Sequence, residues 1–475
     1  MFSVSQFLEL LLPTLKTNAL DLLTADAQSI ATPLQQGRLS SVELVEKYLD
    51  SIQLHDGRLH AMLSIAPRED LLRTVAALDL ERTQRNVRGP LHGIPIIIKD
   101  NIATHPDLGM KTTCGSLALQ DMRPYANTRV ADKVKPAPFQ QIAPSFSIPS
   151  GWSGLGGQCQ SAYVRGGVDP DDTVGVSAGY APFSLGSETD GSLVSPASTA
   201  ALYTIKPTIG LVSQDGIISI SHTMDSAGPM AKTPHDLAAL LDIIWESASG
   251  DSAGPTKSFY DIVSSGGSWG ELSIATLGYK KWWPPKEFLK PVESATNPMH
   301  SEIQAAYNEM ERLAKRFAPN VPLPMPSEYM LDGRDTVADF RVDLDRYLQS
   351  TEYCRVRSIQ ELINFNIEHA DNLQLGPGEY ESHLSHLRKV AREDGIDHIL
   401  EKYQVDVIVG SADTAMTALA SGSGYPVGAV HLGYLDYNGR PFGLAVLAGR
   451  NQEAKIFKFM NVRESTFGPR RPPSL

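Results

Sequence analysis

Gly93-Ile94-Pro95-Ile96-Ile97-Ile98-Lys99-Asp100 is the stretch on which the reading of this chain turns. Isoleucines at 94, 96, 97 and 98 leave no polar face, so the segment reads as a buried strand rather than a half-exposed one. Pro95 stands near the start, where a missing N–H is tolerated. The strand runs straight into a lysine. Burial disfavours the ammonium and lowers its pKa, which is how a lysine becomes a usable base near neutral pH. The plainer alternative is a strand-end lysine that snorkels to water.

Residues 19–84, upstream, read as helices. Ser40 and Glu43 form a capping-box pattern, and Val42, Val45, Leu49 and Ile52 make an apolar stripe behind it. Downstream, Thr128 to Lys135 predicts a short helix. Residues 136–149 carry Pro136, Pro138, Pro144 and Pro149 with no period of 2 or 3.6, which predicts neither a central strand nor a stable helix. Residues 151–191 are Gly-rich and irregular and suit active-site loops. An apolar helix is expected over Asp236 to Trp245, then a polar linker or surface loop over 246–268. Leu272 to Leu277 predicts a strand. Residues 301–317 predict an amphipathic helix with Ile303, Ala306, Tyr307, Met310, Leu313, Ala314 and Phe317 on its apolar face. Val405 to Val409 reads as another buried strand. Strands alternating with helices, without an internal repeat, predict an α/β layered fold.

Composition narrows the task. The net charge is −12, from 54 acids against 42 bases, and no basic cluster interrupts it. Binding to a phosphate backbone or an anionic membrane needs basic surface, so neither nucleic acid nor membrane is the expected partner. Three cysteines, Cys114, Cys159 and Cys354, lie far apart and offer neither a disulfide framework nor a cysteine zinc site. The apolar run Phe7 to Leu12 is short and interrupted by Glu9, which reads as a docking helix rather than a signal peptide. No run approaches the ~20 residues needed to span a bilayer. The expectation is a soluble, cytoplasmic protein.

Gly186-Ser187-Glu188-Thr189-Asp190-Gly191-Ser192 is the second chemical segment. Small residues before a serine let the backbone turn sharply and gather N–H groups at one point, beside a nucleophilic hydroxyl. A polar turn ahead of a helix is the plainer reading. Gly175-Val176-Ser177-Ala178-Gly179 matches the G-x-S-x-G elbow, which would make Ser177 the nucleophile of an esterase. That elbow needs a strand before it and a helix after it; here Asp169-Pro170-Asp171-Asp172 precedes and Pro182 follows. His383, His386 and His398 fit a solvated helix face better than a metal set. Trp282 and Trp283, beside Pro284 and Pro285, read as a loop anchor.

Taken together, residues 93–101, residues 186–198 continuing through Ile205 to Gly210, and His222 to Met230 resemble the amidase-signature family. Gly424-Tyr425-Pro426 and Asn438 to Gly443 are similar to it as well. Gly156-Gly157-Gln158 and Ser161 to Gly167 resemble its fungal branch. The resemblance implies one α/β domain over 19–468, with a mixed central sheet surrounded by helices. N-terminal helices would occupy 19–84, the catalytic core 89–245, and a helical insertion with the C-terminal part 270–468. It implies a Ser–Ser–Lys hydrolase that cleaves a small-molecule carboxamide through an acyl-enzyme, without cofactor or metal, and a homodimer stays open. Lys99 matches the base, Ser192 the nucleophile, and the N–H groups of Thr189, Asp190 and Gly191 the oxyanion hole.

Two parts of the pattern are unmatched. The family's bridging serine comes from a Gly/Ser-rich loop a little over twenty residues before the nucleophile, where this chain has Val168-Asp169-Pro170-Asp171-Asp172. Ser177 matches a helix position and does not take that role. The family's buried strand and Asn-Leu-Ser-type segment fall at Pro136 to Pro149. Part of the catalytic core therefore reads as missing, which leaves an impaired amidase, an inactive amidase-fold binding protein, or a mis-joined gene model.

Overall fold

The computed structural model describes residues 20–133, 137–139, 151–164, 174–246, 257–282, 292–325, 334–367, 387–436 and 438–475. The Phe7–Leu12 run, residues 140–149, the 165–172 segment, Trp283 to Pro285, and His383 with His386 lie outside them.

The strands, in chain order, are β1 (Ile97–Lys99), β2 (Ala137–Phe139), β3 (Trp152–Ser153), β4 (Gly157–Gln158), β5 (Phe183–Glu188) and β6 (Tyr203–Lys206). They continue as β7 (Ser226–Ala231), β8 (Ser273–Thr276), β9 (Arg316–Ala318), β10 (Val407–Ser411), β11 (Val427–Tyr434) and β12 (Pro441–Leu447). Ten of them form one mixed sheet in the order β2-β1-β5-β7-β6-β11-β12-β10-β8-β9, while β3 and β4 pair separately. The β2-β1-β5 and β10-β8-β9 ends are parallel, and the ladders between them are antiparallel.

Side chains alternate across a strand, and two cores result. Val407, Val409, Leu444 and Val446 face one core with Leu237, Ile303 and Ile456. Ile408, Ala445 and Leu447 face the other with Val194, Ala197 and Leu419. Helices Pro234–Ile244, Glu293–Leu313 and Glu453–Phe467 thus cover one face, and Val194–Thr199 and Met416–Ser423 the other. The expected α/β arrangement is present, with both sheet faces buried. No helix among the described residues is long and apolar enough to cross a membrane.

Several expectations are corrected. The 93–100 strand is trimmed to β1, because Gly93 adopts a left-handed φ of 79° and the Ile94 amide closes a turn onto Leu91. The 136–149 stretch, expected to hold no central strand or stable helix, contributes a three-residue edge strand. Ala137–Phe139 pairs parallel with β1 at the sheet edge, where Pro138 is tolerated because its outward side needs no donor. The 151–191 stretch holds β5, six consecutive buried residues in the third strand of the ten-strand order. The helix expected over 301–317 spans Glu293–Leu313. Ala314 turns extended, and Phe317 joins the parallel β8–β9 ladder while packing on the same core as Leu313.

Candidate active site

β1 and β5 are parallel neighbours, with Ile97 beside Ser184 and Ile98 beside Leu185. β6 runs parallel to β5 through its antiparallel partner β7. Lys99, Glu188 and Lys206 therefore finish their strands at one edge of the sheet, the carboxyl end, where ligand sites of α/β sheets form.

Lys99 is buried, and its Nζ donates to the Ser187 carbonyl at 2.8 Å. Its stem lies over Gly186: a Cβ there would come within 4.0 Å of Lys99 Cδ and 2.8 Å of Leu193 Cδ2. Asn101 Nδ2 donates to Ser187 Oγ and to the Ile218 carbonyl, both at 2.9 Å. The end of β1 is thereby stitched to the end of β5 on both sides of Ser187.

The chain leaves β5 through Thr189, Asp190, Gly191 and Ser192, and enters the helix Val194–Thr199. Gly191 has a φ of 84°, the left-handed region that favours glycine. Glu188 secures the far side of this turn. Its Oε2 accepts the N–H groups of Leu193 at 2.7 Å and Val194 at 2.9 Å, which caps the helix immediately after Ser192. Thr189 is held at both ends. Its hydroxyl donates to Asp225 Oδ1 at 2.6 Å, and its carbonyl accepts from Lys206 Nζ at 2.9 Å and Ser421 Oγ at 2.5 Å. Among the described residues, the N–H groups of Asp190, Gly191 and Ser192 have no hydrogen-bond partner. Asp190 is exposed and Ser192 half-buried, so the turn is in part accessible to solvent.

The electrostatics follow from burial. Lys206 is fully buried, which pushes its pKa down, while the carboxylates of Glu188, Asp190 and Asp225 oppose the shift. Burial pushes Asp225 up, against the hydrogen bonds it accepts from Thr189 and the Ile220 and Ser221 backbone.

Sequence reasoning placed Lys99 and residues 189–192, and the fold sets them at one sheet edge. It did not assign roles to Glu188 or Lys206, although both stood inside the quoted segments. Ser421 carried no local signal, lying in the run Ala418 to Ser423, whose other residues apart from Leu419 are equally small. Ser177 ends the short helix Val174–Ser177 and is fully buried, so the elbow geometry that would expose its hydroxyl is not met. Trp282 is buried, and His398 opens the helix His398–Tyr403. Ligand atoms of His222, Asp339 and Asp343 lie within 4.8 Å of one another. Their carboxylates are already engaged. Asp339 accepts from the Ser221 and Thr223 hydroxyls, and Asp343 from the backbone N–H of His222, which docks the helix Arg334–Gln349 onto this loop.

The family model described as Amidase matches residues 43–139 and 173–368. An Arabidopsis thaliana protein described as a probable amidase is 30% identical over 486 residues, covering 94% of this chain and 91% of that protein. A sequence from the fungus Arthroderma benhamiae is 35% identical over 279 residues, covering 55% of this chain and 45% of that protein. The crystal structure of the native peptide amidase from Stenotrophomonas maltophilia superposes with a TM-score of 0.83 at 28% identity, over 95% of this chain and 98% of that one. A hydrolase fold with this sheet-edge arrangement and these relatives defines the class. The chain belongs to the amidase family.

Proposed function

We propose that this protein hydrolyses a carboxamide C–N bond with Ser192 as nucleophile and Lys99 as the base that drives it. The observation that carries the reading is the turn 189–192. It presents a half-buried serine beside unpaired backbone N–H groups, at the strand edge where a buried lysine ends β1. Neutral Lys99 receives the Ser192 proton through a bridging group, and Ser192 Oγ adds to the amide carbonyl. The negative oxygen so formed is taken by the N–H groups of Thr189, Asp190 and Gly191. Collapse expels the amine, which leaves with the proton held by Lys99, and water then releases the carboxylic acid.

The bridging group is the weak member. With no serine matched to that role, a water takes its place, and turnover falls by roughly 10³ to 10⁶ relative to a complete relay. The same gap favours a second reading, a non-catalytic protein that retains the fold and binds amides. Peptide amides join aliphatic and aryl amides as substrates to try, because the Stenotrophomonas maltophilia enzyme is a peptide amidase. Slow ammonia or amine release is expected from at least one of these, abolished by Ser192→Ala and by Lys99→Ala. Ligand binding without turnover by the wild type would instead favour the second reading. Sequencing the transcript across codons 125–180 tests whether the missing Gly/Ser loop is a true feature of the gene.

A further inference from the structure

Two side chains from distant elements converge on one backbone atom of the turn. The Thr189 carbonyl oxygen accepts Lys206 Nζ, from the end of β6, at 2.9 Å. It also accepts Ser421 Oγ, from the helix Met416–Ser423, at 2.5 Å. Both donors are buried. A trans peptide group is planar, so its C=O and N–H point in opposite directions. Fixing the Thr189 oxygen toward Lys206 and Ser421 fixes the Asp190 N–H away from them. That N–H has no partner among the described residues.

We propose that Lys206 and Ser421 are positioning residues of the hydrolysis, aiming the Asp190 N–H at the acyl oxygen by gripping the Thr189 carbonyl behind it. The inference rests on the reading of Ser192 and residues 189–191 given above. It accounts for a fully buried lysine. An ammonium in the interior carries a desolvation cost that an apolar side chain of the same length avoids. In return it makes a charge-assisted bond, stronger than a neutral donor would make, to a carbonyl that must not swing. Asp225, holding the Thr189 hydroxyl at 2.6 Å, prevents the same residue from turning about its other end. Oxyanion stabilisation depends on donors fixed before the charge develops, so a loosened peptide weakens the transition state more than it weakens substrate binding.

The test compares wild type, Ser421→Ala, Lys206→Met and Ser192→Ala on an acyl p-nitroanilide, and with a peptide aldehyde that forms a tetrahedral adduct on the nucleophile. We expect kcat to fall about 3–10-fold in Ser421→Ala and about 10–100-fold in Lys206→Met, with KM within about threefold of wild type. Aldehyde affinity should weaken in the same proportion as kcat, while affinity for the carboxylate product stays put. A merely structural role would not couple those two losses. Ser421→Ala removes one hydroxyl and no charge, so it answers the question even if Lys206→Met fails to fold. Wild-type kcat and aldehyde affinity in a folded Ser421→Ala would overturn the proposal, as would a fall in kcat with aldehyde affinity unchanged. If Ser192→Ala keeps turnover and aldehyde binding, the underlying reading of the nucleophile fails. If Ser192→Ala loses both while the positioning variants match wild type, only this inference fails.

Discussion

Asp100 follows Lys99 in the chain and is buried, accepting the Thr113 amide at 3.0 Å, the Thr113 hydroxyl at 2.5 Å and the Gly115 amide at 2.9 Å. These three bonds favour the carboxylate, yet burial outweighs them and pushes the pKa up to about 6. An unfolded aspartate titrates near 3.9. Between those values the native state binds more protons than the unfolded chain, so stability falls as pH rises through about 4 to 6. Once the group is ionised the penalty is complete, about 3 kcal/mol for a shift of about two units. We therefore predict that the thermal midpoint of wild type, relative to Asp100→Asn, drops by several degrees between pH 4 and 7 and then levels off. A wild-type midpoint that rises relative to Asp100→Asn over that range would contradict this account of the residue. The candidate residues Lys99, Ser192 and the 189–191 turn could be singled out in the sequence because each sat in a short segment with its own chemical logic. Asn101 and Ser421 were not, since their roles exist only through partners brought close by folding.

Among the elements, the helix Ser41–Leu59 shows what local pattern can specify. The Ser40–Glu43 capping box is present in both directions, with Ser40 Oγ accepting the Glu43 N–H at 3.0 Å and Glu43 accepting the Ser40 N–H at 2.8 Å. Ser40→Ala should cost about 1 kcal/mol, a small but resolvable drop in a thermal melt. The sheet was read less well. β5 escaped notice because Ser184 and Gly186 alternate with Phe183 and Leu185, and a strand buried on both faces usually announces itself through bulky residues. Gly228 explains part of this economy. A Cβ there would lie 2.1 Å from the Ile205 carbonyl oxygen and 2.8 Å from Leu193 Cδ1, so neighbouring strand and helix approach too closely for any side chain. Gly228→Ala should destabilise by about 3 kcal/mol or more, because backbone on β6 must move; near-wild-type resistance to urea would refute the close packing. The C-terminal shift of the 301–317 prediction has a similar origin. Phe317 satisfies the apolar stripe from a strand rather than from the helix.

On the scale of the whole molecule, one edge of the sheet organises the candidate site. Three strands deliver Lys99, Glu188 and Lys206 to the same end of the sheet, and the helix Met416–Ser423 closes over them from a part of the chain more than 200 residues downstream of the serine turn. Composition and segment order gave the α/β class and the family, but not the convergence, which depends on a strand order that interleaves early and late segments. On the proposed mechanism, the unmatched segment matters for rate. Lys99 and Ser192 can be in place while the proton path between them is lengthened, so the account predicts slow chemistry on an intact nucleophile rather than loss of the site. Reaction with a fluorophosphonate, read as intact mass and a mapped peptide, tests that most directly. The account predicts one adduct on Ser192 of the wild-type protein, slower in Lys99→Ala and absent in Ser192→Ala. Equal labelling of wild type and Ser192→Ala would contradict it.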